Sequence, residues 1–189
     1  MNIFVLDQDP ILSAQMYCDK HVPKMVVELL QQLGSAVIRH GAEPEQMPLT
    51  KKGTYLRGGY HNHPCTRWVG DSRCNYVWAC LHAQELCREY TRRFDNKTHF
   101  CEAGIHHLSS MVGMIPEGYL TPFALAMPDE YRPVGPLVAH IGDGDYITDV
   151  VYHATGADAV RAYRRYYHSK EFAQWNKGTD TPSWWMGVQ

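Results

Sequence analysis

The sequence predicts a mainly α, compact helical domain over residues 1–189, with a short N-terminal extended arm and long ordered loops. Two observations carry that prediction. Apolar residues recur at three- and four-residue spacing over 13–39, 66–94 and 157–175, which is the period of one helix face. The intervening stretches 41–64 and 116–156 are broken by proline and glycine, which interrupt any regular period. A third observation is bulk: 189 residues, 44% of them hydrophobic and 20% charged, suit an ordinary globular chain with a full core.

Residues 3–6 form a brief apolar run of strand formers closed by the turn-like Asp7-Gln8-Asp9-Pro10, hence a short strand or extended arm. A helical pattern starts at Ile11. Pro23 has no amide to give the carbonyl of Asp19, so a kink or restart is expected there. Val22, Val26, Leu29, Leu33 and Val37 form the core face, and Ala36, Val37 and Ile38 carry the helix past Gly34 to about His40. The connection 41–64 presents Lys51, Lys52 and Arg57, then His61 and His63 just before Cys65; a loop of this length in a compact domain is commonly functional. The span 66–94, with Trp68, Tyr76, Trp78, Leu81, Leu86 and Tyr90, should be the central helix. It ends in the basic cluster Arg88, Arg92, Arg93 and Lys97.

A shorter helix is expected from 101 to about 113. An ordered loop should follow, with a brief strand or hairpin over 137–141 and 146–151 and a turn at Asp143-Gly144-Asp145, which lacks the later ligands of a calcium loop. Asp158 opens the last helix through Val160, Tyr163, Tyr167 and Phe172. Trp184 and Trp185 should fold back onto the body, since adjacent tryptophans are costly to leave wet.

A formal charge of −2 with eleven histidines advertises no general affinity for nucleic acid, so any such site is a local patch. The start of the chain has no basic region before its apolar run, and no run reaches membrane-spanning length. A cytoplasmic setting with reduced thiols and no membrane partner is expected. The glycine-rich stretches match no phosphate-cradling fingerprint, which disfavours a nucleoside triphosphatase. Cys18, His21, His61, His63 and Cys65 are ligand types that suit tetrahedral zinc, but their spacing fits no standard pattern. Neither metal nor cofactor is expected. The simpler reading of His63-Pro64 is a proline-started helix with His63 packed beside the first long helix.

The most informative stretch is 17–33. His21, Lys24, Glu28 and Gln31 follow helical spacing on a side of their own, so an imidazole, an ammonium, a carboxylate and an amide line up over about three turns. Such a stripe is either a proton-handling site or a solvated face. Cys18-Asp19-Lys20-His21-Val22, with Glu28 ten residues after the cysteine, resembles the first helix of the phage and bacterial pyrimidine-dimer DNA glycosylases of the endonuclease V type. Gly59-Tyr60-His61-Asn62-His63-Pro64 and the later Glu89-Tyr90-Thr91-Arg92-Arg93-Phe94 are similar to further segments of the bacterial members.

The resemblance implies that fold, a DNA or nucleotide substrate carrying a damaged or modified base, and cleavage of its N-glycosidic bond. It makes Glu28 the catalytic carboxylate and His21 a phosphate contact or substrate-orienting group. The first amine of the chain, on Met1, becomes a candidate nucleophile, ordinarily of pKa about 7.7–8.0. Candidate substrate contacts are Lys24, Gln31, His61, His63, Arg92 and Arg93. To these the last helix adds Arg161, Arg164 and Arg165, interleaved with Tyr163, Tyr166 and Tyr167, either as a groove for phosphates and stacked bases or as an amphipathic helix with tyrosines inward.

This chain departs from the family pattern in three places. Asn2 follows Met1 where the family has Thr or Ser, and a residue that bulky leaves the Met in place. Val27 and Gln31 stand where the family has arginines. These changes bear on dimer recognition and strand nicking more than on fold. They leave two alternatives: a non-catalytic module binding nucleic acid, nucleotide or protein on the same scaffold, or a Cys/His metal-dependent hydrolase.

Overall fold

The computed structural model describes residues 2–133 and 156–189; the hairpin and turn expected within 137–151 lie outside the described residues. Among the described residues the fold is helical, with no strand beyond an isolated bridge between Leu49 and Tyr55. Its helices are α1 (Pro10–Gln15), α2 (His21–Arg39), α3 (Pro64–Val69), α4 (Arg73–Arg93), α5 (Glu102–Ser110) and α6 (Gly156–His168).

The first helical span, in which Pro23 predicts a kink or restart, is two helices, and the restart falls at His21. Asp9 caps α1, its carboxylate accepting from the amides of Ile11 at 2.8 Å and Leu12 at 3.0 Å. The chain then breaks over 16–20 and restarts at His21, which puts Pro23 in the first turn of α2, where its missing N–H costs nothing. The break is held by side chains from far along the chain. Arg93 donates to the carbonyls of Gln15 (2.9 Å) and Tyr17 (2.7 Å), and the Trp175 indole donates to that of Met16 (3.1 Å). The Cys18 amide donates to the Tyr167 hydroxyl at 3.0 Å. The predicted core face of α2 is buried throughout: Val22, Val26, Leu29, Leu33 and Val37 are each 0% exposed.

The arm 2–6 runs extended without joining a sheet, because hydroxyl and thiol groups take the place of a partner strand. The Tyr17 hydroxyl accepts from the amide of Phe4 (2.8 Å) and donates to its carbonyl (3.0 Å). Ser13 Oγ accepts from the Leu6 amide (3.0 Å) and Cys65 Sγ from the Ile3 amide (3.5 Å). Burial of Ile3, Phe4, Val5 and Leu6, all at or below 5% exposed, supplies the driving force.

The second helical span is also divided, at Gly70–Ser72, where the Ser72 hydroxyl caps α4 by accepting from the Asn75 amide. α4 packs along α1 and α2 and is the central helix. α6 is shorter than its apolar pattern, ending at His168, with Phe172 and Trp175 in the irregular segment beyond. It lies against the arm and the α1–α2 break through Tyr163, Tyr167 and Arg164. Trp185 stacks on His168, ring centroids 4.7 Å apart, and Trp184 packs edge-on to Tyr167, so the terminal tryptophans do close back.

The connection between α2 and α3 is clamped to α2 at a single serine. Ser35 Oγ accepts from the Gly59 amide (2.7 Å) and donates to the Gly59 carbonyl (2.8 Å). Gly58 beside it has φ +67°, and a Cβ there would sit 2.4 Å from Ser35 Oγ. Only glycine suits that position.

Candidate active site

Glu28 lies mid-way along α2 with its side chain 15% exposed and Oε2 buried. On the solvent side Lys24, one turn earlier and 59% exposed, reaches Oε1 at 3.2 Å. The negative charge of Glu28 is felt by Tyr17, His63 and Cys65. Burial pushes the Tyr17 phenol and the Cys65 thiol up, and the negative charge of Glu28 adds to both shifts. Burial lowers the His63 imidazole, and the same charge opposes it. His63 Nδ1 caps α3 by accepting from the Cys65 amide at 3.2 Å, while Cys65 Sγ receives the Ile3 amide. Cys65 thereby ties the start of α3 to the N-terminal arm. Met1, the candidate nucleophile, lies outside the described residues.

Gln31, one turn after Glu28, is half-buried beneath Gly59. With Val27 it lines a pocket of about 390 Å³ walled by Leu49, Leu56 and Phe100, with Lys51 and Lys52 at its edge. His61 is exposed and opens onto two other pockets, of about 600 and 330 Å³, on the far side of the Gly58–Gly59 clamp.

The stripe read from the sequence divides at its first member. His21 is 3% exposed, stacks on Phe4 with centroids 4.9 Å apart, and has Nδ1 at 2.7 Å from the Tyr167 hydroxyl. Burial lowers its pKa to about 3, with Lys24, Lys170 and Lys20 adding to the effect, so it offers a phosphate no charge at neutral pH. Arg93 is likewise interior, its side chain 0% exposed and bound to Glu89 and Asp19 besides the two carbonyls, whereas its neighbour Arg92 is exposed and pairs with Glu89.

The last helix places Tyr163 and Tyr167 in the core and its arginines elsewhere. Arg164 donates to the Leu6 carbonyl (2.9 Å) and faces Asp7 (3.6 Å). Arg165 holds the carbonyls of Tyr131 and Arg132, and Arg161 pairs with Asp158. Tyr166 alone of the three tyrosines stays partly exposed, with Lys170 3.5 Å from its ring centroid, while the helix period turns Tyr163 and Tyr167 away from the arginines.

Among the described residues no three His, Cys, Asp or Glu side chains gather as a metal site would require, and no described helix is long and apolar enough to cross a membrane. Sequence reasoning passed over Tyr17, whose role needs the fold, and Lys20, which lies four residues before Lys24 at the cap of α2.

Two of the buried histidines give a stability test. Burial lowers His21 to about 3 and His82 to about 4, against about 6.5 in an unfolded chain. Both are neutral when folded, so below pH about 6.5 the unfolded state binds protons first and stability falls as pH falls toward 4. Thermal melts should show Tm dropping steadily from pH 6.5 to 4, and His82→Gln, although less stable at pH 7, should show a shallower slope. A Tm independent of pH over that range would mean that these imidazoles are not held neutral.

Residues 1–102 match the sequence model of a family described as pyrimidine dimer DNA glycosylase. Neither the curated proteins nor the solved structures searched yield a match.

Proposed function

The chain belongs to the pyrimidine dimer DNA glycosylase family, and on that premise we propose that it cleaves the N-glycosidic bond of a damaged or modified base in DNA, with Glu28 as the catalytic carboxylate. The observation that carries this reading is the setting of Glu28: a carboxylate on α2 whose side chain is 15% exposed, with one oxygen buried and the other facing Lys24.

As the bond from C1′ to the base breaks, its electron pair leaves with the base and positive charge develops on the sugar. A fixed carboxylate beside C1′ stabilises that charge more in the transition state than in the ground state. A nucleophile then completes C1′. Attack by water leaves an intact strand with an abasic sugar. Attack by the Met1 amine forms a C–N bond, and opening of the sugar ring gives an imine. Lys24 and Gln31 flank the carboxylate as substrate contacts. We assign His21 and Arg93 to holding the start of α2 in place, which accords with their burial.

A second reading, recognition without turnover, is favoured by Val27 and Gln31, which line an apolar pocket where the family's cations would project. The two are separated by incubating the protein with oligonucleotides containing pyrimidine dimers, other modified bases or abasic sites. Base release supports catalysis; tight binding without release supports the second reading. Borohydride reduction addresses the nucleophile. With Met1 retained as the first residue, the amine sits on a bulkier residue than the Thr or Ser of the family pattern, so base release without a trapped covalent adduct is expected. A trapped adduct that disappears when a residue is added before Met1 would instead assign attack to the amine.

A further inference from the structure

The net charge of −2 makes any concentration of cations informative, and the structure contains one beside the start of α2. The buried ring of His21 lies between Phe4 and Phe172, centroids 4.9 and 5.1 Å away, and Lys170 stands 6.0 Å from the first ring and Lys20 close to the second, so ammonium groups from two distant parts of the chain converge on one region, one turn before Lys24. Lys20 lies 4.5 Å from the ring centroid of Phe172, Lys170 lies 3.5 Å from that of Tyr166, and Lys177 lies 5.0 Å from that of Phe94. Lys20 and Lys177 stand at the rim of an open cleft of about 490 Å³ between the start of α2, the end of α4 and the segment 172–177. Phe172, 37% exposed, forms part of its wall.

The acid within the cleft is committed elsewhere. Asp19 accepts from the Asn176 amide at 2.6 Å and from Arg93 at 3.3 Å. Among the described residues Lys20, Lys170 and Lys177 form no ion pair, unlike Lys24 and Lys97. Like charges gathered without counter-charges repel one another, and an anionic ligand relieves that repulsion.

We propose that Lys20, Lys170 and Lys177, together with Lys24, form the track along which the DNA strand leaves Glu28, their ammonium groups neutralising successive phosphates. This rests on the reading of the chain as a DNA glycosylase. Lys20, which caps the start of α2, and Glu28 within it are eight residues apart, about 12 Å along the helix axis. One strand of a duplex carries a phosphate every 3.4 Å of its axis, so this distance spans roughly three phosphates. The exposed edge of Phe172 offers an apolar surface to sugar or base alongside them. The track also relocates the cations: they are lacking at Val27 and Gln31, which line the pocket beside Leu49 and Phe100, and are present at 20 and 24, at the start of α2.

The test measures binding rather than turnover. A fluorescent duplex carrying a stable abasic analogue is titrated with the full-length protein over a series of salt concentrations. The wild-type protein, the triple variant Lys20→Gln/Lys170→Gln/Lys177→Gln and the control Lys97→Gln, which lies outside the track, are compared. Each phosphate contact contributes about 0.9 to the slope of log K against log salt. The triple variant should therefore bind at least about tenfold more weakly at low salt, with its slope reduced by roughly two to three, while Lys97→Gln matches wild type. Wild-type binding with an unchanged slope in the triple variant overturns the track and leaves the glycosylase reading standing. Failure of the wild-type protein to bind any duplex overturns both.

Discussion

Glu28→Gln is expected to lower the rate of base release by about a hundredfold or more, since removing a preorganised group that faces developing charge typically costs that much. The substitution keeps the shape of the side chain and removes its charge. Its effect on stability should be small: the Lys24–Glu28 pair is a half-exposed i,i+4 contact, of a kind worth about 0.3–0.5 kcal/mol. Single-turnover rates on a cleaved substrate, together with thermal melts of both proteins, make the comparison. Undiminished base release would remove Glu28 from the chemistry and return it to an ordinary pair on a helix face.

The second large effect concerns stability. Arg93→Ala should destabilise the fold by about 3–5 kcal/mol, the usual result of deleting one partner of a buried ion pair. Four losses coincide: the Glu89 carboxylate is left in a buried site, Asp19 loses a partner, and the carbonyls of Gln15 and Tyr17 lose their donor. Urea denaturation monitored by circular dichroism reads this as a lower midpoint at an unchanged slope. Arg93→Lys should recover little, because a single ammonium cannot reach partners arrayed around a planar fork. A loss below about 1 kcal/mol would show that the break over 16–20 holds itself together.

The core face of α2 was legible in the sequence because a long helix writes its buried side at a fixed period, and all five residues read from that period are buried. The boundaries were legible in part: Pro23 marked a kink or restart, and the helix restarts at His21, two residues before it. The contacts that hold the break, from Arg93, Tyr167 and Trp175, are not announced by anything near residues 16–20. The split at 70–72 was foreshadowed only by Gly70 and Ser72. In the site, spacing found the adjacency of Lys24, Glu28 and Gln31. It also grouped His21 with them, since position on a helix surface does not reveal what covers that surface. Here Phe4 and Tyr167 cover it. The same limit applies to Arg92 and Arg93, adjacent in sequence but facing solvent and core respectively.

The way the α1–α2 break is fastened also sets an order of assembly. Its donors lie 76 to 159 residues away along the chain, contacts of long sequence separation whose loop-closure entropy must be met before they form. During synthesis α2 emerges long before Tyr167 and Trp175, so its first turn has no fixed register until the C-terminal segment arrives. The helix bearing Glu28 can pack against α4 early, but the exact placing of its amino end is a late event of folding. A chain ending before α6 would be expected to keep a helical core and lose the alignment of the arm, α2 and α3.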